Sequence, residues 1–98
     1  MLKDVISQSK KGDVKAFGVL MMKHQNMVFS LALKMLADGQ EAEDTVQDVF
    51  VHVWYLISQY DGRKEDFAAW VCAVAVHICL DKIIVLESSV CGFRNYIF

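Results

Sequence analysis

The sequence predicts an all-α protein, a three- to four-helix bundle, and three observations carry that prediction. Apolar residues recur at three- and four-residue steps along most of the chain, the period of one helix face. The 98 residues contain 0 prolines, so nothing breaks a long helix from within. The strong punctuation falls at Lys10-Lys11-Gly12, at Asp38-Gly39 and at Gln59 to Glu65, and each place carries a cap or turn signal.

The first segment, residues 2 to 9, faces Leu2, Val5 and Ile6 inward. Its end is marked by two lysines at the carbonyl terminus and by Gly12, which can take the left-handed cap conformation. Asp13 then caps a long helix on which Val14, Phe17, Leu20, Met21, Val28, Leu31, Ala32 and Met35 hold one face through Leu36. His24 lies on that stripe and is expected to be a packing histidine with one hydrogen bond, since no cysteine or acid accompanies it at ligand spacing. Asp38, with Glu41 three residues on, forms a capping-box-like start for a third helix that ends near Ser58. Its core face is Ala42, Val46, Val49, Phe50, Val53 and Ile57. Gln59 to Glu65 is a surface loop with Asp61-Gly62 as its turn, and Asp66 caps the last helix. There Phe67, Trp70, Val71, Val74 and Ile78 form a core stripe. The reverse side carries Ala69, Ala73, Val76, Leu80 and Ile83, flanked by Cys72 and Cys79, so this helix is apolar nearly all round and wants burial on more than one side.

One domain is expected over residues 1–86, followed by an apolar tail at 87–98 with no second domain in these 98 residues. The formal charge of −2 offers polyphosphate no general attraction, so nucleic acid would have to be held by a local patch or with a partner's help. Cys72 and Cys79 stand about 10 Å apart along one helix, beyond the roughly 7 Å that a disulfide spans. With the odd count of 3 cysteines this points to a reducing, cytoplasmic setting, and no signal core follows the N-terminus. The longest apolar run, Phe67 to Leu80, is interrupted by His77 and falls short of the ~20 residues of a spanning helix, so no membrane is expected.

No catalytic constellation is present: no phosphate loop, no nucleophile elbow, no paired zinc-binding histidines. The chain is therefore not expected to be an enzyme, and no cofactor is expected. Cys72, His77 and Cys79 match no ligand spacing and lack a fourth donor, so no metal site is expected. Tyr60, Arg63 and Lys64 have a better claim, combining a stacking aromatic with two cations at the mouth of two helices, the equipment for holding an unstacked base and a phosphate. The outer side of the third helix is the other candidate. There Glu41, Asp44 and Asp48 form an acidic strip, bordered by Gln47, Val51 and Trp54.

The wording of these segments resembles a known family. Ala42-Glu43-Asp44-x-Val46-Gln47-Asp48-Val49-Phe50-x-x-Val53-Trp54, followed in register by Asp66-Phe67-x-Ala69-Trp70-Val71-x-x-Val74-Ala75, is similar to region 2 of the extracytoplasmic-function (ECF) group of bacterial sigma-70 factors. The resemblance starts upstream, at Lys11-Gly12-Asp13-x-x-Ala16-Phe17 and Leu31-Ala32-Leu33-x-Met35-Leu36, and runs to Leu80-Asp81. It implies a helical domain that docks on the clamp helices of the β′ subunit of core RNA polymerase and opens the −10 promoter element. Asp44, Gln47, Asp48, Val51 and Trp54 match the polymerase-binding helix. Tyr60, Arg63, Lys64, Trp70, His77 and Lys82 fall in the promoter-contacting part. Members usually carry arginine at the positions of Ala73 and Val76, asparagine at His77, and basic residues where this chain has Ile83, Ile84 and Val85. The resemblance therefore implies a weakened promoter contact. The apolar side formed by Ala69, Ala73, Val76 and Leu80 suggests instead a degenerate or truncated sigma-like binding module without promoter recognition, which pairs with a second copy, with an anti-sigma factor or with polymerase.

Overall fold

Three of the helix starts are fixed by aspartates. Asp13 Oδ1 accepts from the amides of Lys15 and Ala16 at 3.0 and 3.2 Å, and Asp38 Oδ1 accepts from those of Gln40 and Glu41 at 2.9 and 3.2 Å. Each thereby satisfies two amides that a first helical turn leaves unbonded. In a computed structural model of the chain, which describes residues 2–62 and 66–91 and the side chains as far as Ile84, four helices result. They are α1 (Leu2–Lys10), α2 (Val14–Leu36), α3 (Gly39–Leu56) and α4 (Phe67–Cys91), with a 3₁₀ turn at Ile57–Gln59 closing α3. Asp66 Oδ1 accepts from the amide of Ala69 at 2.8 Å, the cap expected for α4. Gly12 takes φ +95°, as the end of α1 requires. At the end of α2 the left-handed position falls on Ala37 (φ 55°), whose amide donates to Leu33 O at 2.8 Å.

Helix α2 packs against all three other helices and is the spine of the bundle. Its Leu20 and Val28 meet Val49, Phe50 and Val53 of α3 and Phe67, Val71 and Ala75 of α4, with Ile6 of α1 closing one end. Where α2, α3 and α4 meet at the other end, the buried residues are the small Ala32, Ala42 and Cys79. An edge-to-face chain of rings, His24 on Phe67 at 5.2 Å and Phe67 on Tyr60 at 5.4 Å, ties α2 to α4 and to the chain segment that precedes it.

Most of the expected core faces are the observed ones, with some differences, among them Leu2, expected to face inward but 39 % exposed at the start of α1. Val14 is 70 % exposed, because a residue at the first position of α2 lies beyond the cover of its neighbours. Thr45 is buried, its hydroxyl donating to Glu41 O at 2.7 Å, and this internal bond is what lets a polar residue face the core. Cys79, expected on the flank of α4, lies fully inside. His24 is buried with Nδ1 2.8 Å from Leu20 O, the packing role expected of it.

Helix α4 is longer than the apolar run suggested: it runs unbroken through residue 86 to Cys91, past the expected domain boundary. By length and composition alone Phe67–Ile84 could cross a membrane, which removes the length argument against a span. Packing buries 28 % of that segment. Phe67, Val71, Ala75, Ile78 and Cys79 are core residues of the helical bundle. The tail at 92–98 lies outside the described residues.

Candidate functional site

Helix α3 presents its outer side as expected, and α2 completes it. Asp44, Gln47, Asp48 and Val51 are exposed, Val51 at 54 %. Trp54 is half-buried, its ring edge-to-face with Phe17 of α2 at 4.9 Å. Between the two helices lies a shallow groove of about 530 Å³ lined by Val14, Phe17, Met21, Gln47, Val51, Trp54 and Tyr55. Tyr55, 74 % exposed, is the residue that sequence reasoning missed; its position four after Val51 was the available signal. The surface is thus an apolar groove with carboxylates along one edge, a form suited to an anchoring apolar side chain flanked by cations.

The carboxylates are not uniformly available. Lys82 of α4 places Nζ 3.0 Å from Asp48 Oδ2 and 3.9 Å from Glu41 Oε2. Lys82, expected at DNA, is instead directed at the acids of α3. It continues the inward line of Val71, Ala75 and Ile78 at helical spacing, and its side chain is only 24 % exposed. Neighbouring burial pushes the Cys79 thiol up, and the charge of Lys82 offsets part of that rise.

The remaining residues expected at DNA divide between two places. Trp70, half-buried, and His77, exposed, share a groove of about 520 Å³ between α3 and α4 with His52, Ala73 and Asp81. His77 Nε2 stands 3.9 Å from Asp81 Oδ2. Tyr60 departs from expectation: it is buried at 7 % exposure, with its ring against Phe67 and Trp70. The cause is its position at the end of the 3₁₀ turn, where the ring closes the core rather than facing outward. The cation beside it is Lys10, whose Nζ donates to Tyr60 O at 2.8 Å and lies 5.9 Å from the ring centre. Arg63 and Lys64 lie outside the described residues.

Along α4, Ala69, Ala73 and Leu80 are exposed and Val76 is half-buried, so three of the four residues expected at an interface are on the surface, joined by Ile84. Cys72, His77 and Cys79 do not converge: Cys72 Sγ lies 3.7 Å from Met27 Sδ, Cys79 is in the core and His77 is outside.

The described residues thus form a four-helix arrangement with an acid-edged groove between α2 and α3 and an aromatic corner before α4. Residues 20–83 match the sigma-70 region 2 family, and the chain belongs to it. Among the proteins it is similar to is the ECF RNA polymerase sigma factor SigW of Bacillus subtilis, 31 % identical over 83 residues, 85 % of this chain and 44 % of that protein. The RNA polymerase sigma-H factor of Pseudomonas aeruginosa is 24 % identical over 80 residues, 82 % of this chain and 41 % of that one. The fold is that of an engineered region 2 of sigmaE solved by NMR in complex with GTAAAA, at a TM-score of 0.82 and 24 % identity, covering 91 % of this chain and 92 % of that one. The chain spans under half the length of the curated relatives it matches.

Proposed function

We propose that this chain is a sigma-factor-like transcription initiation domain that docks on the β′ clamp helices of core RNA polymerase through α3 and the α2/α3 groove. The observation that carries the reading is the groove itself. Val51 and Tyr55 stand exposed beside Trp54, with Asp44 and Asp48 along the margin, where complementary charge steers encounter and the aromatic anchors supply affinity. The cytoplasm is where such a partner is met, and the role is one of binding, without catalysis. Promoter contact belongs to the same reading and falls to the corner around Trp70, to His77, and to Arg63 and Lys64 beyond the described residues. Tyr60 can take part only by leaving the core, and Lys82 only by leaving Asp48.

The test is a titration against core polymerase beside a variant with Asp44→Lys and Asp48→Lys. Wild-type binding with a large loss in the variant, tenfold or more, supports docking through α3; equal binding by both, or none by the wild type, ends the reading.

A second reading is favoured by one observation, the exposed apolar side of α4, where Leu80 is 47 % and Ile84 51 % exposed. In this reading the same fold pairs there with a second copy or with an anti-sigma factor and makes no use of DNA.

A further inference from the structure

Phe67–Cys91 contains a single lysine and no arginine, so Lys82 is the one strong cation of α4. It does not point away from the bundle. It reaches across to α3 and sits between Asp48 at 3.0 Å and Glu41 at 3.9 Å, two of the three acids of the strip. The third, Asp44, is exposed and among the described residues has no ion-pair partner. At 100° per residue Asp44 lies some 40° to 60° further from α4 than Asp48 and Glu41 do. The strip is therefore asymmetric: one lysine offsets half the charge of the two acids on the margin next to α4, while Asp44 stands unopposed among the described residues on the margin next to the apolar groove.

We propose that Lys82 is an internal counter-ion of the docking strip, setting how strongly, and in which orientation, α3 attracts a basic helical partner. The proposal rests on the docking reading for the identity of the partner but not for the electrostatics. A cation approaching Asp48 meets a carboxylate already paired through Oδ2 and is repelled by the Lys82 ammonium, whereas one approaching Asp44 meets no such cation among the described residues. The arrangement steers a partner's basic residues toward the groove margin, beside Val51, and weakens capture by polycations that lack a matching apolar anchor. Charge on a strip of this kind acts mainly on the association rate and on its salt dependence.

The experiment measures association rates of the wild-type chain, Lys82→Met and Lys82→Arg at NaCl concentrations from 50 mM to 1 M. Two binding partners are used: core RNA polymerase, and a synthetic lysine-rich coiled coil with no polymerase sequence. Circular dichroism and a thermal melt confirm that each variant is folded. Lys82→Met is expected to associate about threefold faster than wild type with the synthetic coiled coil at 50 mM, with a steeper salt dependence. The two should converge near 1 M, where the screening length falls to about 3 Å. Lys82→Arg, which keeps the charge, should follow the wild type. Lys3→Met removes the same unit of charge from α1, which packs on α2 and not on α3, and should accelerate association less. An unchanged or slower rate for folded Lys82→Met overturns the proposal, as does an equal acceleration by Lys3→Met. If the synthetic coiled coil shows the effect while the wild type ignores polymerase, the counter-ion stands and the docking reading falls.

Discussion

Ser9 faces the core from α1 at 2 % exposure, and among the described residues its hydroxyl has no hydrogen-bond partner. A buried polar group left unpaired carries its desolvation cost uncompensated, about 1–3 kcal/mol, while removing the group altogether loses nothing. Ser9→Ala also favours the helix slightly, alanine being the better helix former. The expected outcome is a gain of about 1 kcal/mol, read as a higher urea midpoint at unchanged slope; a loss of stability would mean that the hydroxyl is bonded in solution. Thr45 is the contrasting case, since its hydroxyl is equally buried but donates to Glu41 O at 2.7 Å. Neither burial could be read from residue type, because serine and threonine are surface residues by default.

Among elements, the turn between α2 and α3 shows what local sequence can and cannot disclose. Asp38 as the cap of α3 was legible, since an aspartate ahead of an apolar-periodic run has one job there. The end of α2 was legible only as a break in pattern, because the left-handed residue is Ala37 rather than the neighbouring Gly39. A left-handed alanine is disfavoured by its Cβ, whereas glycine takes the conformation freely but loses more entropy on folding. Ala37→Gly should thus stabilise by about 0.5 kcal/mol net, seen as a rise of a few degrees in Tm. The apolar stripes of α2 and α3 were legible because each has one buried side. Helix α4 was not so easily divided into inside and outside: with apolar residues nearly all round, periodicity could not place Cys79 in the core or Lys82 on the line facing α3. The groove escaped for a different reason. It is built from two helices, and Val14, Met21 and Tyr55 share it only once α2 and α3 are packed.

At the scale of the whole molecule, the two functional readings assign opposite roles to one surface, the exposed side of α4, and a single added charge separates them. The chain has a net charge of −2, and Lys82 is occupied by Asp48, so the described part of α4 offers a phosphate little beyond His77. Ala73 is exposed on the rim of the α3/α4 groove, beside Trp70 and His77. If that groove meets the displaced −10 strand, Ala73→Arg adds one phosphate contact, for which the slope of log K against log salt steepens by about 0.7 for single-stranded nucleic acid. Lowering NaCl from 200 to 50 mM should then favour the variant over the wild type by an additional factor of about 2.6, which is four raised to that slope. The binding assay is a labelled −10 non-template oligonucleotide with core polymerase present. If the apolar side instead pairs with a second copy, the same arginine is carried into the interface without a partner. Light scattering should then show a wild-type dimer at micromolar concentration and a monomeric variant, with no change in oligonucleotide binding, since an unpaired buried charge is among the strongest disruptors of an interface. A steeper salt slope with a monomer throughout assigns α4 to nucleic acid; a lost dimer with an unaltered slope assigns it to protein.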